Sequence, residues 1–275
     1  MKKKIACVTL IGSVIFVVAA LLDIKNLYTR KPLELTFDAA YYFSEESSKS
    51  GIWAYEKSFS GHQYYLYLPP EYRENNDDPE AKLPLIVAFH GSDEKGQAFK
   101  YGRIFTDQNF QEKIYPKGAA VLLIFSRVNY FTDPHGTGLL IQNVCIKNKC
   151  IDKEKIIAYG FSQGAKFAAE LACAEPSLFK AVVSGSGFYQ MSVSEIARVL
   201  PIRFYWANSE DDKGIFEQGM PTGRRVARFC KGSRYVQYQT RHHFYVELKD
   251  KTGRLNKDGS EETFMDWLCE AVNCK

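Results

Sequence analysis

Several features that would settle a function at once are missing from this chain. It has no internal repeats and no low-complexity tracts. It has no basic stripe with interleaved aromatics, the usual footprint of a nucleic-acid partner. The net charge is only +4, and three of the 36 basic residues sit together in Lys2, Lys3 and Lys4, so the rest is close to neutral. No CxxC spacing occurs. The pairs Cys145/Cys150 and Cys269/Cys274 each enclose four residues, and no histidine stands near them. That pattern argues against a zinc site, and neither a metal nor a cofactor is expected.

What is present fits one α/β domain of ordinary size. The chain has 275 residues, 45% of them hydrophobic and 25% charged, which is enough for a full core. Residues 5–22 carry no charge and follow the three lysines. A basic segment before an apolar run is an export signature. The run is just long enough to span a bilayer, and no good small-x-small cleavage site follows it. Three parts are therefore expected: a signal peptide or membrane anchor over 1–22, a polar spacer over 23–50 and one α/β domain over 51–275. A retained anchor is favoured over cleavage, with the body outside the cytoplasm, periplasmic or extracellular. Six cysteines follow the anchor, an even number that suits disulfides in an exported body. Cys145–Cys150 and a bridge involving Cys269 or Cys274 are the candidates. Cys173 falls in an apolar helix and reads as a buried thiol.

The domain reads as alternating strands and helices. "HQYYLYLP" (62–69) alternates like a strand. "LPLIVAFHG" (83–91), "GAAVLLIFSR" (118–127), "KIIAYGFS" (155–162), "KAVVSGSG" (180–187) and "PIRFYWANS" (201–209) are apolar runs of strand length, as expected where both faces are buried. "RYVQYQT" (234–240) is a further strand. "AKFAAELACA" (165–174) and "EETFMDWLCEAV" (261–272) have helical spacing. This order predicts a mostly parallel sheet covered by helices on both sides.

Ser162 lies in Gly160-Phe161-Ser162-Gln163-Gly164, between the strand "KIIAY" and the helix from Ala165. A GxSxG pattern alone is weak. Its position between strand and helix is what a nucleophile elbow requires, because small flanking residues let the two elements approach and leave the serine exposed on a strained turn. The rest of a hydrolase site is then sought in chain order. The oxyanion donors expected are the N–H groups of Gln163, after the nucleophile, and of Ser92, in the loop after "LPLIVAFHG". His90 reads as structural. An acid and then a base should follow, each leaving a strand's carboxyl end. "IRFYWAN" empties into Glu210, Asp211 and Asp212, and "RYVQYQT" empties into His242 and His243.

These stretches, with "YYLYLPPEY" and "IDKEKIIAYGFSQGAKFAAELACAEPSLFKAVVSGSG", resemble the esterases related to polyhydroxybutyrate depolymerases and feruloyl esterases. The resemblance covers 60–187 well and 200–272 loosely. It implies an α/β-hydrolase fold and a cofactor-free serine esterase. Ser162 then corresponds to the nucleophile, Asp211 to the acid (with Asp212 and Glu210 as alternatives) and His243 or His242 to the base. His243 is preferred, since adjacent side chains on an extended segment point apart and the later residue clears the sheet. This chain departs from the group at Ser92-Asp93-Glu94, where further glycines or a cysteine are usual, which leaves the acyl pocket open. The expected substrate is a small-molecule or polymeric ester. The rival readings are a peptidase or an envelope acyltransferase on the same triad, and a non-catalytic binding protein of the same fold.

Overall fold

The computed structural model describes residues 53–57, 63–92, 98–126 and 131–273. The expected anchor (1–22), the spacer (23–50) and Cys274 lie outside the described residues. An eight-stranded sheet forms the centre, in the order β1-β2-β4-β3-β5-β6-β7-β8. Its strands are β1 (Trp53–Lys57), β2 (Gln63–Tyr67), β3 (Leu83–Phe89), β4 (Ala120–Phe125), β5 (Ile151–Phe161), β6 (Ala181–Gly185), β7 (Arg203–Ser209) and β8 (Arg234–Tyr238). From β4 to β8 every neighbour is parallel, whereas β2 runs antiparallel to both β1 and β4. The helices are α1 (Ala98–Thr106), α2 (Gln108–Ile114), α3 (Pro134–Lys147), α4 (Gln163–Ala174), α5 (Val193–Arg198), α6 (Lys213–Phe229) and α7 (Phe264–Asn273). A small hairpin, β9 (Lys251–Leu255) with β10 (Glu261–Thr263), precedes α7.

The apolar runs form strands because alternate residues serve two cores, so neither face tolerates a polar side chain. Leu85, Val87 and Phe89 of β3 face a cluster with Ile141 of α3, Phe167 and Leu171 of α4 and Val226 of α6. Ile86 and Ala88 face the other cluster, with Phe105 of α1, Phe110 of α2 and Trp267 of α7. Fully burying one such large side chain is worth about 1.5–3 kcal/mol. Although "HQYYLYLP" alternates in sequence, all five residues of β2 are buried. Tyr64 and Leu66 enter one core and Tyr65 and Tyr67 the other.

Two sequence expectations change here. Residues 261–263 form β10 rather than the start of the last helix. Cys145, Cys150, Cys173, Cys230 and Cys269 are all free thiols, so Cys145 and Cys150 are not bridged. Cys150 is wholly buried and Cys145 packs against the same core. Burial pushes both thiols up to about 11, which leaves them neutral and unreactive at physiological pH. Among the described residues, no helix is long and apolar enough to cross a membrane.

The topology itself points to one place. From β3 the chain crosses outward to β4, then returns past β3 to β5. The crevice outside the carboxyl ends of β3 and β5 is where such a sheet binds ligands.

Candidate active site

Ser162 stands at that point. It is the single residue between β5 and α4. Its backbone lies at φ 54° and ψ −118°, a region that costs a non-glycine residue about 1–3 kcal/mol. The surroundings hold it there. The Ser162 N–H donates to the Gly185 carbonyl, and its own carbonyl accepts from the Lys166 N–H, each at 2.9 Å. The flanking glycines are sterically required. A Cβ at Gly160 would lie 2.3 Å from the Gly164 oxygen, and one at Gly164 would lie 2.2 Å from the Phe89 oxygen and 2.5 Å from that of His90. Helix, strand and the end of β3 therefore meet backbone to backbone.

This contact also brings the turn after β3 to the elbow. Ser92 is half-buried two residues beyond His90. Gln163 opens α4, so its N–H has no partner within the helix, and the helix adds a partial positive charge beside Ser162. His90 is buried and structural. Its Nε2 accepts from the Ser126 N–H at 3.2 Å, which assigns the proton to Nδ1, 2.6 Å from the Gly91 carbonyl.

The three acidic residues after β7 diverge. Glu210 accepts a hydrogen bond from Gln237, and its backbone N–H donates to Tyr238. Asp211 is exposed and accepts from the Ser209 hydroxyl at 2.7 Å. Asp212, the residue before α6, lies with its Oδ2 at 2.6 Å from His243 Nδ1. The structure thus brings Asp212, not Asp211, to the histidine. The Ser209 hydroxyl holds Asp211 away. His243 packs its ring 4.8 Å from that of Phe161, the residue before Ser162, so the imidazole stands beside the elbow. His242 is exposed. His135 pairs with Glu175 at the far end of α4, about 20 Å along that helix from Ser162, and takes no part.

The loop that carries His243 is held by residues that no motif announces. The Arg241 backbone N–H donates to Ser209 Oγ at 3.0 Å, and its guanidinium reaches Asp250 at 2.6 Å. The same guanidinium lies 4.4 Å over the Phe244 ring. Burial works against the charge on Arg241, but the Asp250 carboxylate outweighs it and raises the pKa. The Tyr159 hydroxyl donates to the Val246 carbonyl at 2.7 Å. The Ser186 hydroxyl is hydrogen-bonded to the backbone of Phe244. The bonds to Ser209, Tyr159 and Ser186 join residues far apart in sequence, which is why sequence reading misses them. The one local trace is the small-residue stretch Ser184-Gly185-Ser186-Gly187 at the end of β6.

The arrangement combines a strained serine, backbone donors at a helix start and an imidazole backed by a carboxylate. Among the described residues no group of His, Cys, Asp and Glu is placed to hold a metal ion. A model of the prolyl oligopeptidase family, a peptidase family, matches residues 141–219. That segment includes the elbow and the acidic turn but ends before His243. Among curated proteins, no relative matches the chain. Among solved structures, a thermostable esterase superposes with a TM-score of 0.55 at 19% identity, over 81% of this chain and 60% of its own. The chain thus spans less than two thirds of that esterase. A ferulic acid esterase gives 0.53 at 12% identity, over 70% of this chain and 91% of its own. Fluorophosphonate-binding serine hydrolase F of Staphylococcus aureus, solved with substrate bound, gives 0.51 at 13% identity, over 70% and 91%. At these identities the likeness is one of architecture, and with the sheet order and the elbow it establishes that the chain has the α/β-hydrolase fold.

Proposed function

We propose that the protein is a serine hydrolase that cleaves carboxylic esters through an acyl-enzyme on Ser162. The observation that carries this is the strained Ser162 with the His243–Asp212 pair packed beside it. Asp212 occupies Nδ1 of His243, so Nε2 is the nitrogen left to accept a proton. In acylation Nε2 takes the Ser162 hydroxyl proton while Oγ bonds to the ester carbonyl carbon. The carbonyl oxygen becomes an oxyanion, met by the N–H groups of Gln163 and Ser92. Collapse breaks the bond to the alcohol oxygen, which leaves with the proton from His243. Water then repeats the sequence on the acyl-enzyme and releases the acid. No step needs a metal or a cofactor. Asp212 orients the imidazole and stabilises its charged form, while Asp211 remains with Ser209.

Ester hydrolysis leads because the esterase resemblance spans the elbow and both strand-end loops. The peptidase family match over 141–219 favours peptide cleavage as a second reading. One experiment separates them. The protein is assayed on p-nitrophenyl esters of rising chain length and on peptidyl p-nitroanilides, with Ser162→Ala beside it, and treated with a fluorophosphonate probe. Ester turnover, labelling at Ser162 and loss of both by several orders of magnitude in the folded variant are expected. Turnover of anilides alone selects the peptidase, and labelling at another residue overturns the role of Ser162. An inert folded protein marks a binding protein.

Export is part of the same proposal and rests on the sequence of residues 2–22. It places the body outside the cytoplasm, tethered through residues 5–22. Cys269 is a free thiol like the other described cysteines, so no disulfide is part of the proposal. Fractionation of cells tests it.

A further inference from the structure

We infer that the Ser186 hydroxyl is the positioning group for His243, acting through the backbone of Phe244; the inference rests on reading His243 as the base. Ser186 is the first residue beyond β6 and is buried. Its hydroxyl donates to the Phe244 carbonyl and accepts from the Phe244 N–H, both at 3.0 Å. One hydroxyl thereby satisfies both main-chain groups of a single buried residue, using its donor and one acceptor site. The Phe244 N–H belongs to the peptide plane that begins at His243, so holding it fixes the backbone direction from which the imidazole projects. At the other end of the side chain, Asp212 holds Nδ1. The imidazole is tied at its root and at its ring, and the root is tied to β6.

The backbone at this position strengthens the argument. Ser186 has φ 50°, in the left-handed region that glycine adopts freely and serine does not. It stands between Gly185 and Gly187, and its N–H donates to the Ala207 carbonyl of β7 at 2.9 Å. A third glycine would suit the backbone better. A serine is there instead, and what it adds is the hydroxyl that Phe244 uses. The residue before it packs tightly as well. A Cβ at Gly185 would meet Val246, two residues past Phe244, at 3.2 Å. The end of β6 and the histidine loop are therefore in direct contact, and loss of the hydroxyl leaves two buried backbone groups without their partner.

Ser186→Gly is the discriminating variant, because it removes the hydroxyl and relieves the backbone at once. Ser186→Ala removes the hydroxyl alone, and Ser186→Thr restores it. Turnover is counted per site labelled by the fluorophosphonate, so unfolded protein does not contribute. The expected result is kcat per site lower by about 10- to 100-fold in Ser186→Gly and Ser186→Ala, with KM within about threefold. Ser186→Thr should recover most of the loss. In parallel, imidazole NMR signals of His243 are followed in wild type and Ser186→Gly, and they should move. A folded Ser186→Gly with wild-type kcat per site and unmoved His243 signals overturns the inference. So does a loss of activity that disappears when counted per site, since the hydroxyl then serves stability alone. A wild type without hydrolysis defeats the proposed function, and the NMR comparison still decides whether Ser186 holds His243.

Discussion

The nucleophile and the acid–base pair are built in opposite ways. The elbow is five consecutive residues, Gly160 to Gly164, held by backbone contacts at distances where no side chain fits. The pair joins His243 to Asp212 across 31 positions of sequence, and its loops are held by side-chain hydrogen bonds from Ser186, Ser209 and Arg241. One is a steric device and the other a polar network. A steric device tolerates almost no change of shape but is indifferent to pH. A polar network tolerates small changes of shape, yet depends on which atom holds which proton. The contrast predicts where each half of the site breaks.

The largest effects belong to the polar half, where adjacent residues should behave unlike each other. Asp212→Asn should lower kcat by about 10³- to 10⁴-fold on an activated ester, because the wrong imidazole tautomer is then favoured. Asp211→Asn, at a carboxylate bonded to Ser209 and not to His243, should stay within about tenfold. His243→Ala should match or exceed the loss in Asp212→Asn, and His242, which does not carry the bond to Asp212, should be replaceable with little change. Four purified variants and one kcat measurement each suffice. An inactive Asp211→Asn beside an active Asp212→Asn would reverse the assignment of the acid.

Legibility in the sequence follows the same division. Strands β2 to β7 stand out because they are largely buried on both faces, and helix α4 because its inward face is apolar. Ser162 is readable because an elbow is local: strand, glycine, serine, glycine, helix. The two loops are readable from chain order alone. The choice between Asp211 and Asp212 is not, since it turns on which carboxylate the Ser209 hydroxyl engages. Ser186 is invisible for the same reason, as its partner lies 58 residues away. Helix α6 is masked by its own composition. It contains Pro221, Gly219 and Gly223, which weaken a helical reading. The structure needs two of them: a Cβ at Gly219 would lie 2.0 Å from the Gly187 oxygen, and one at Gly223 2.4 Å from Tyr235. The β9–β10 hairpin is mostly exposed and so carries no apolar period to read.

Stability gives the next test, smaller than the catalytic effects. Gly164→Ala places a Cβ 2.2 Å from the Phe89 oxygen, a backbone atom that cannot swing aside. It should cost about 3 kcal/mol, visible as a lower melting temperature and lost fluorophosphonate labelling. Gly214→Ala is its control. It lies in α6 with nothing within 4 Å of the added Cβ. There alanine should be neutral or stabilise by about 0.5 kcal/mol. Equal effects at the two glycines would remove the steric account of the elbow.

The smallest expected effect is a difference in acid sensitivity, and it sharpens the contrast between the two halves. The histidine loop leads through Asp250 into β9, and the hairpin is fastened to β8 by a buried pair. Arg234 meets both carboxylate oxygens of Glu262 at 2.7 Å, and the Thr252 hydroxyl adds a third bond at 2.6 Å. Burial alone raises the pKa of Glu262. The hydrogen bonds from Arg234 and Thr252 and the nearby positive charges of Arg234 and Arg254 outweigh it, so the folded value lies below the ordinary one. A group lowered in this way contributes stability that is present above the unfolded glutamate pKa, about 4.3. That contribution is lost as the pH falls through the folded value. Removing one partner would strand the other charge, so the informative variant replaces both, Arg234→Met with Glu262→Leu, which at neutral pH should change stability little. Between pH 7 and pH 3 the wild type should lose a few degrees more of melting temperature than the double variant. Thermal melts in matched buffers read this directly. If the two proteins lose stability in parallel across that range, the hairpin's ion pair is not what makes this half of the molecule respond to acid.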